Sequence, residues 1–382
     1  MTARRPSRLV TWGDMRDAIV FSGWRWETFN FPERITLALA HLGCRILYCE
    51  APVSILRSKP QPLRELPGGI SCLRLRFLSA KLNYVPGAAL AQAVMLREQI
   101  EDATTQLGLR EPIFLYVWMG RFFPLCELMK RNHFIVHICM DHSVDSAYDR
   151  MVQVSDKTLA LPRSAYHKFR AKFGAKVETI PHCVDLPHLA EDGQPEIAAL
   201  SAIPRPRLAY TGPAKGKMNE PVLRSLMQSH PEWHFVSVDP ERILPLPNVH
   251  ALPWMPPRAL GRFLRSIDVG FMPYDCYSEA WLHCLPTKLF EYFAVGLPVV
   301  SVPLVHLWEY KDLVYFGDTA DELSSAVEAA LAEPPDSPKR AARIEVASRY
   351  SIENLANALR RCLPLDGVVP VRGHVAPSER RG

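Results

Sequence analysis

What this chain of 382 residues lacks narrows its chemistry before anything else does. Its nine cysteines, from Cys44 to Cys362, form no C-x-x-C pair and are odd in number, so neither a zinc site nor a disulfide framework is expected and the thiols read as reduced. No apolar run approaches the roughly 18 residues that a membrane-spanning helix needs. The start, MTARRPSRLVTWGDMRD, is basic but is interrupted by Asp14 and Asp17 before an apolar stretch develops, unlike a secretory signal. A cytoplasmic location is expected. Arg4, Arg5, Arg8 and Trp12 leave room for peripheral contact with the inner face of a membrane. There is also no Asp-x-Asp pair for a metal-bound nucleotide, no H-E-x-x-H and no G-x-S-x-G, and no internal repeat. The expected metal count is therefore none, and no cofactor is called for. The net charge of +5, with both signs interspersed, suits an anionic small ligand better than nucleic acid.

What is present is a large α/β chain. Its length exceeds what one core usually holds, at about 150 residues per domain, so two domains are expected. Apolar residues make up 48% and charged residues 22%, as in soluble globular proteins, and the 34 prolines punctuate many loops. Short apolar runs alternate with helix-period segments, the pattern of a parallel sheet with crossover helices, and the pattern starts twice. The first series has strands at 18–23, 44–50, 112–118, 133–140 and in KVETI, with helices at 32–43, 88–107, 122–131 and 164–173. The second has strands at 207–212, 233–239, 248–253 and 268–274. Its helix over 258–268 places Leu260, Phe263, Leu264 and Ile267 on one face. The expected layout is a first domain over 1–186, a proline-bounded connection over 187–206, and a second domain over 207–345. A helix over 346–363 could cross back to the first domain, and a polar tail over 364–382 reads as disordered.

Open parallel sheets bind ligands beyond the carboxyl ends of their strands, so the loops after strands matter most. After the first strand, SGWRWETFNFP offers Gly23, Trp24, Arg25 and Trp26, which suit a sugar or phosphate in the cleft. Simple packing of the tryptophans at the domain rim is the alternative. After RLAYTG comes GPAKGKMN, where Gly212, Lys215, Gly216 and Lys217 precede a helix and could approach phosphates. This is neither a Walker loop nor G-x-G-x-x-G, and a solvated lysine pair is the alternative. In MDHSVD, Asp141, His142 and Asp145 follow a strand and are the acid–base candidates of the first domain.

The most informative stretch is HCLPTKLFEYFAVGLPVVSVP, residues 283–303. Pro286 suits the first turn of a helix, Gly296 its end, and Pro298 lies beyond, so a helix over about 286–295 is expected, followed by a strand. Its free N–H groups near Thr287 could hold a diphosphate, Lys288 adds positive charge, and Glu291, one turn in, could accept two vicinal ribose hydroxyls. A dipole-compensating acid is the alternative for Glu291.

These motifs resemble those of GT-B glycosyltransferases, specifically glycosyltransferase family 4 and its close relatives. CLPTKLFEYFAVGLPVVSVP looks like the family's nucleotide-binding motif, IPHCVD (180–185) like the end of its first domain, and RLAYTGPAKGKMN like the first strand and loop of its second. NVHALPWMPPRALGRFLRSIDVGFMPY is similar to a further segment of that domain. WRWETFNFPERITLALAHLGCRILYCEAP also resembles bacterial polysaccharide and teichuronic-acid-type transferases. The resemblance covers about residues 18–350 and implies two Rossmann-like domains with parallel sheets facing a deep cleft. A nucleoside diphosphate sugar would be held mainly by the second domain, and a glycan or lipid-linked acceptor by the first. The implied activity is a metal-independent, retaining sugar transfer of hexosyltransferase type.

By the resemblance, Glu291 binds the ribose, residues 284–288 hold the diphosphate with Pro286, Thr287 and Lys288, and Gly212 and Lys217 approach the phosphates. Pro253 to Met255 would wrap the base. Asp141, His283 and Lys288 are the expected catalytic or positioning residues. One departure stands out: the position eight residues before Glu291, often a glutamate contacting the transferred sugar, is His283, while Glu279 is offset by four. His182 and Cys183 also stand where Asn and Gly are usual. An epimerase or hydrolase on the same fold, or a non-catalytic nucleotide-sugar-binding subunit, are the rival readings.

Overall fold

The computed structural model describes residues 17–26, 31–117, 122–140, 146–190, 197–212, 214, 216–239 and 244–365. In the first half, strands β1 (Ala18–Ser22), β2 (Ile46–Ser54), β3 (Arg64–Leu66), β4 (Ile70–Phe77), β5 (Ile113–Val117), β6 (Ile135–Cys139), β7 (Lys157–Ala160) and β8 (Val177–Thr179) make one sheet. They alternate with helices α1 (Phe31–His41), α2 (Pro86–Gln106), α3 (Phe123–Met129), α4 (Ser146–Val154) and α5 (Arg163–Phe173). The strand order is β3-β4-β2-β1-β5-β6-β7-β8, parallel throughout except for β3 against β4.

After short helices α6 (Leu186–Ala190) and α7 (Ala198–Ser201), the second half builds its own sheet. Its strands are β9 (Arg207–Thr211), β10 (His234–Val238), β11 (Val249–Leu252), β12 (Val269–Met272), β13 (Val299–Ser301) and β14 (Val314–Phe316). Helices α8 (Glu220–Ser229), α9 (Leu260–Arg265), α10 (Glu279–Leu282), α11 (Thr287–Ala294) and α12 (Ala320–Leu331) connect or cover them, followed by α13 (Pro338–Ser348) and α14 (Ile352–Cys362). The order β11-β10-β9-β12-β13-β14 is wholly parallel and reverses direction of growth between β9 and β12. At such a switch point the flanking loops run apart and leave a crevice at the strand ends.

The central strands are buried along their whole length, as the continuous apolar runs AIVFS, RLAYT and VGFM require for sheets covered on both faces. Two elements of the first sheet lie where the sequence reading passes directly from one run to the next. The β3–β4 hairpin carries Arg74 and Arg76 in alternation with apolar residues, so it has no continuous run. β7 is only KTLA. The connection over 187–206 is not bare chain either, because Leu189, Leu200 and Ile203 are buried in the second core.

The polypeptide crosses between the two sheets at residues 180–185 and again at 349–351, and the crossings are tied together by Val184 N–H donating to Tyr350 O at 2.8 Å. Tyr350 also stacks on Phe290 at 3.7 Å between centroids and shares a 2.6 Å hydroxyl hydrogen bond with Tyr310. Beyond this clasp, α14 lays Leu355, Ala356 and Leu359 into the first core beside α1, with Leu363 and Leu365 buried after it. The first positions of the expected tail are thus packed, and residues 366–382 lie outside the described ones. Among the described residues no helix is long and apolar enough to cross a membrane.

Candidate functional site

The crevice at the β9/β12 switch point is shaped by glycine and tyrosine. A side chain at Gly270 on β12 would meet the Tyr292 ring at 2.5 Å, so glycine is what allows α11 to lie this close to the sheet. The Tyr292 hydroxyl accepts from Thr211 N–H at 3.1 Å and donates to Ala209 O at 3.1 Å, pinning α11 to the end of β9. Pro286 stands at the N-cap of α11 with extended backbone, one position earlier than the sequence suggests, and Gly296 ends the helix at φ +73°. The N-terminus of α11 therefore opens beside the loops that follow β9 and β12.

Those loops are clamped to each other. Asn219 N–H donates to Pro273 O at 3.1 Å, and Asp275 N–H to Lys217 O at 2.8 Å. Gly212 leaves β9 at φ +103°, a conformation that disfavours any side chain, and Ala214 N–H donates to buried Asp239 at 2.9 Å. The turn thus runs close to the strand ends. Lys217 and Lys288 both reach this region. Lys288 Nζ donates to Tyr274 Oη at 2.8 Å and stands 4.4 Å above the Tyr210 ring, while Lys217 Nζ is 5.3 Å from the Trp281 ring. Burial pushes the Tyr274 phenol well above its ordinary pKa, so it accepts from Lys288 as a neutral hydroxyl. Burial likewise pushes the Cys284 thiol up, and Lys288 and Lys217 pull it back, so both ammonium groups lie within electrostatic range of one point.

The first domain closes the other side. Arg34 of α1, 5% exposed, donates through Nη2 to Glu291 Oε1 at 2.7 Å and through Nη1 to Cys183 O at 2.6 Å. His182, also buried, is 3.2 Å through Nδ1 from Thr287 Oγ1. Both contacts were invisible in the sequence, where Arg34 looks like an ordinary polar residue of an amphipathic helix. Arg34 occupies one oxygen of Glu291, and Oε2 has no partner among the described residues. The N–H groups of Thr287 and Lys288 likewise donate to nothing among them.

Of the expected site residues, the structure brings together Gly212, Lys217, Pro286, Thr287, Lys288 and Glu291 around this crevice. Gly23, Trp24, Arg25 and Trp26 follow β1, at the switch point of the first sheet, where β2 and β5 flank β1. They divide by role. Trp26 packs edge-on against Tyr48 at 5.0 Å and its backbone N–H donates to Glu50 at 3.0 Å, so this tryptophan is part of the domain's packing, whereas Trp24 and Arg25 are exposed. Trp254, between Pro253 and Met255, is exposed beyond β11. His283 is the C-cap of α10, and its ring lies 6.3 Å from that of His306, centroid to centroid. Asp141, His142, Asp145 and Lys215 lie outside the described residues, as do Arg4, Arg5, Arg8 and Trp12. No group of three or more His, Cys, Asp or Glu that could hold a metal ion occurs among the described residues.

The two sheets, each with a switch point at its strand ends, have the architecture of the GT-B glycosyltransferases. No protein-family model matches the chain. The chain is similar to a sucrose-phosphate synthase from Thermosynechococcus elongatus, with a TM-score of 0.64 at 13% identity over 91% of this chain and 98% of that one. It is similar to the E. coli structure described as "Trehalose-6-phosphate from E. coli bound with UDP-2-fluoro glucose", with a TM-score of 0.64 at 12% identity, covering 93% and 100%. At these identities the likeness establishes the fold. In sequence, the chain is 26% identical over 227 residues to the Bacillus subtilis (strain 168) protein named "Putative teichuronic acid biosynthesis glycosyltransferase TuaH". That match takes in 53% of this chain and 55% of the relative, so the chain spans about half the length of the curated relative it matches.

Proposed function

We propose that the protein is a glycosyltransferase that moves a sugar from a nucleoside diphosphate sugar to a hydroxyl of a glycan or lipid-linked acceptor. The proposed transfer proceeds with retention, without a metal, in the synthesis of a bacterial surface polysaccharide or glycoconjugate at the cytoplasmic face of the membrane. The observation that carries the reading is the convergence of Lys217, Lys288, the N–H groups of Thr287 and Lys288 and the Oε2 atom of Glu291 on one switch-point crevice. Glu291 accepts the ribose hydroxyls through Oε2. The helix N-terminus and the lysines receive the diphosphate.

In the proposed transfer the bond from the anomeric carbon to the diphosphate breaks, and the diphosphate keeps the electron pair. The acceptor oxygen bonds to that carbon, and its proton passes to the departing phosphate. Charge grows on the leaving group, so fixed N–H dipoles and two ammonium groups stabilise the transition state more than the ground state. Lys288 is suited to this because Tyr274 and Tyr210 hold its Nζ in place.

The reading is tested by thermal shift with UDP-, GDP-, ADP- and dTDP-sugars: one base series raises Tm, and a flat response to all four overturns it. With the binding donor and an acceptor panel, Lys288→Met lowers turnover on the order of 100-fold, more than it lowers donor affinity. Donor consumption that ignores every acceptor favours a hydrolase or epimerase instead.

A further inference from the structure

Beside the diphosphate crevice lies a second group of side chains that the proposed reaction leaves unused. His283 follows α10 in the loop region after β12, and His306 lies on the short 3-10 turn Val305–Tyr310 after β13. Their rings are 6.3 Å apart, centroid to centroid, at 56°. From the first domain, Arg163 and His167 stand on α5, which follows β7. Arg163 reaches across to Glu309 on the same turn as His306, with Nη2 to Oε2 at 3.3 Å and a shorter second arm between Nη1 and Oε1. Three elements from two sheets thus meet at the carboxyl ends of their strands, where open sheets place ligands.

The composition of this group is one-sided. Among the described residues, three imidazoles and a guanidinium gather here with one carboxylate, Glu309, which pairs with Arg163. Neither the His283 imidazole nor the His306 imidazole, both half-buried, has a hydrogen-bond partner among the described residues. Burial, Arg163, His283 and His167 lower the pKa of His306, while Glu309 raises it, so all four groups lie within electrostatic reach of that ring. A neutral sugar hydroxyl needs no such collection of donors. A carboxylate or phosphate oxygen does, because it can accept from several N–H groups at once and pairs with the Arg163 guanidinium.

We infer that His283, His306 and Arg163 form a subsite for an anionic substituent, a carboxylate or a phosphate, carried by one of the two substrates next to the bond being made. The inference rests on the glycosyltransferase reading for its substrates. It accounts for a histidine at position 283, because there a carboxylate would repel the group that this subsite accepts. The anion belongs either to the donor, as a uronic-acid sugar, or to the acceptor, as a phosphorylated sugar.

The test uses the full chain and whichever of UDP, GDP, ADP or dTDP binds it; if none does, the underlying reading fails and the subsite with it. In the donor arm, calorimetry compares that nucleotide's glucuronate and glucose conjugates, which differ only in a carboxylate. In the acceptor arm, glucose 6-phosphate is compared with glucose in the presence of the saturating nucleoside diphosphate. The expected result is at least a tenfold preference for the anionic partner in one arm. In His306→Gln and Arg163→Gln that preference falls to threefold or less, and the affinity for the nucleoside diphosphate alone stays within about twofold. Equal binding of charged and neutral partners in both arms, or a preference that survives both substitutions, overturns the subsite while leaving the nucleotide site standing.

Discussion

Two arginines of the first domain reach across the cleft to glutamates of the second, and they do so in opposite surroundings. Arg34 meets Glu291 with side chains 6% and 12% exposed, whereas Arg163 meets Glu309 with side chains 58% and 45% exposed. The buried pair sits where the ribose is proposed to bind and is backed by Cys183 O; the exposed pair lies at the rim, beside His306. Water decides what each is worth. In the buried pair each charge depends on the other for its stabilisation, while at the rim solvent can replace either partner. The same chemical contact is therefore a structural commitment in one place and a movable tether in the other.

Acid brings the largest expected effect and limits where the comparison holds. His137 on β6 is fully buried with neither ring nitrogen hydrogen-bonded among the described residues, and burial holds its pKa down at about 3 against an ordinary 6.5. The folded state keeps the ring neutral, so between those values the unfolded chain binds the extra proton and stability falls as pH falls. The contribution is fully present above pH 6.5 and costs up to about 5 kcal/mol by pH 3. Urea denaturation across that window should lose this slope in His137→Leu; an unchanged slope overturns the assignment. The ion pairs are best compared above pH 7.

Next in size is Arg34→Ala, which leaves Glu291 buried without its partner and is expected to cost about 3 to 5 kcal/mol of unfolding free energy. The double variant Arg34→Ala/Glu291→Ala should recover part of that loss, because no orphaned charge remains. If the single variant is no worse than Arg163→Ala, burial is not what separates the two pairs.

Glu291→Ala alone sharpens the comparison on the ligand side. Losing a charged acceptor for the ribose should weaken nucleotide binding by about 1.5 to 3 kcal/mol in calorimetry, and unchanged affinity sinks the ribose assignment. The smallest effect belongs to the rim. Arg163→Ala should change stability by less than about 1 kcal/mol, and even that difference should vanish in 1 M salt, where charges are screened within about 3 Å.

The site was legible in the sequence in one half and not in the other. Pro286 and Gly296 announce the limits of α11, and Thr287, Lys288 and Glu291 announce what its first turn can bind, because capping and dipole effects act within one turn of chain. The repeated strand–helix alternation likewise announces two parallel sheets. β7 and the β3–β4 hairpin were missed because a four-residue strand, or one alternating with arginine, carries too weak a period to stand out. Arg34, His182 and Arg163 were missed for a different reason: their partners lie 257, 105 and 146 residues away in the chain.

What the sequence by itself determined is local: which continuous apolar runs become strands, where α11 starts and stops, and which polar residues its N-terminus presents. Only the tertiary structure decided that Arg34 shares Glu291 with the proposed ribose, and that the His283 ring lies near His306. It also decided that α14 returns to the first core across a clasp made by Val184 and Tyr350. Helix limits follow from interactions a few residues apart, whereas a contact across the cleft exists only once two separate cores have packed and the chain has crossed between them twice.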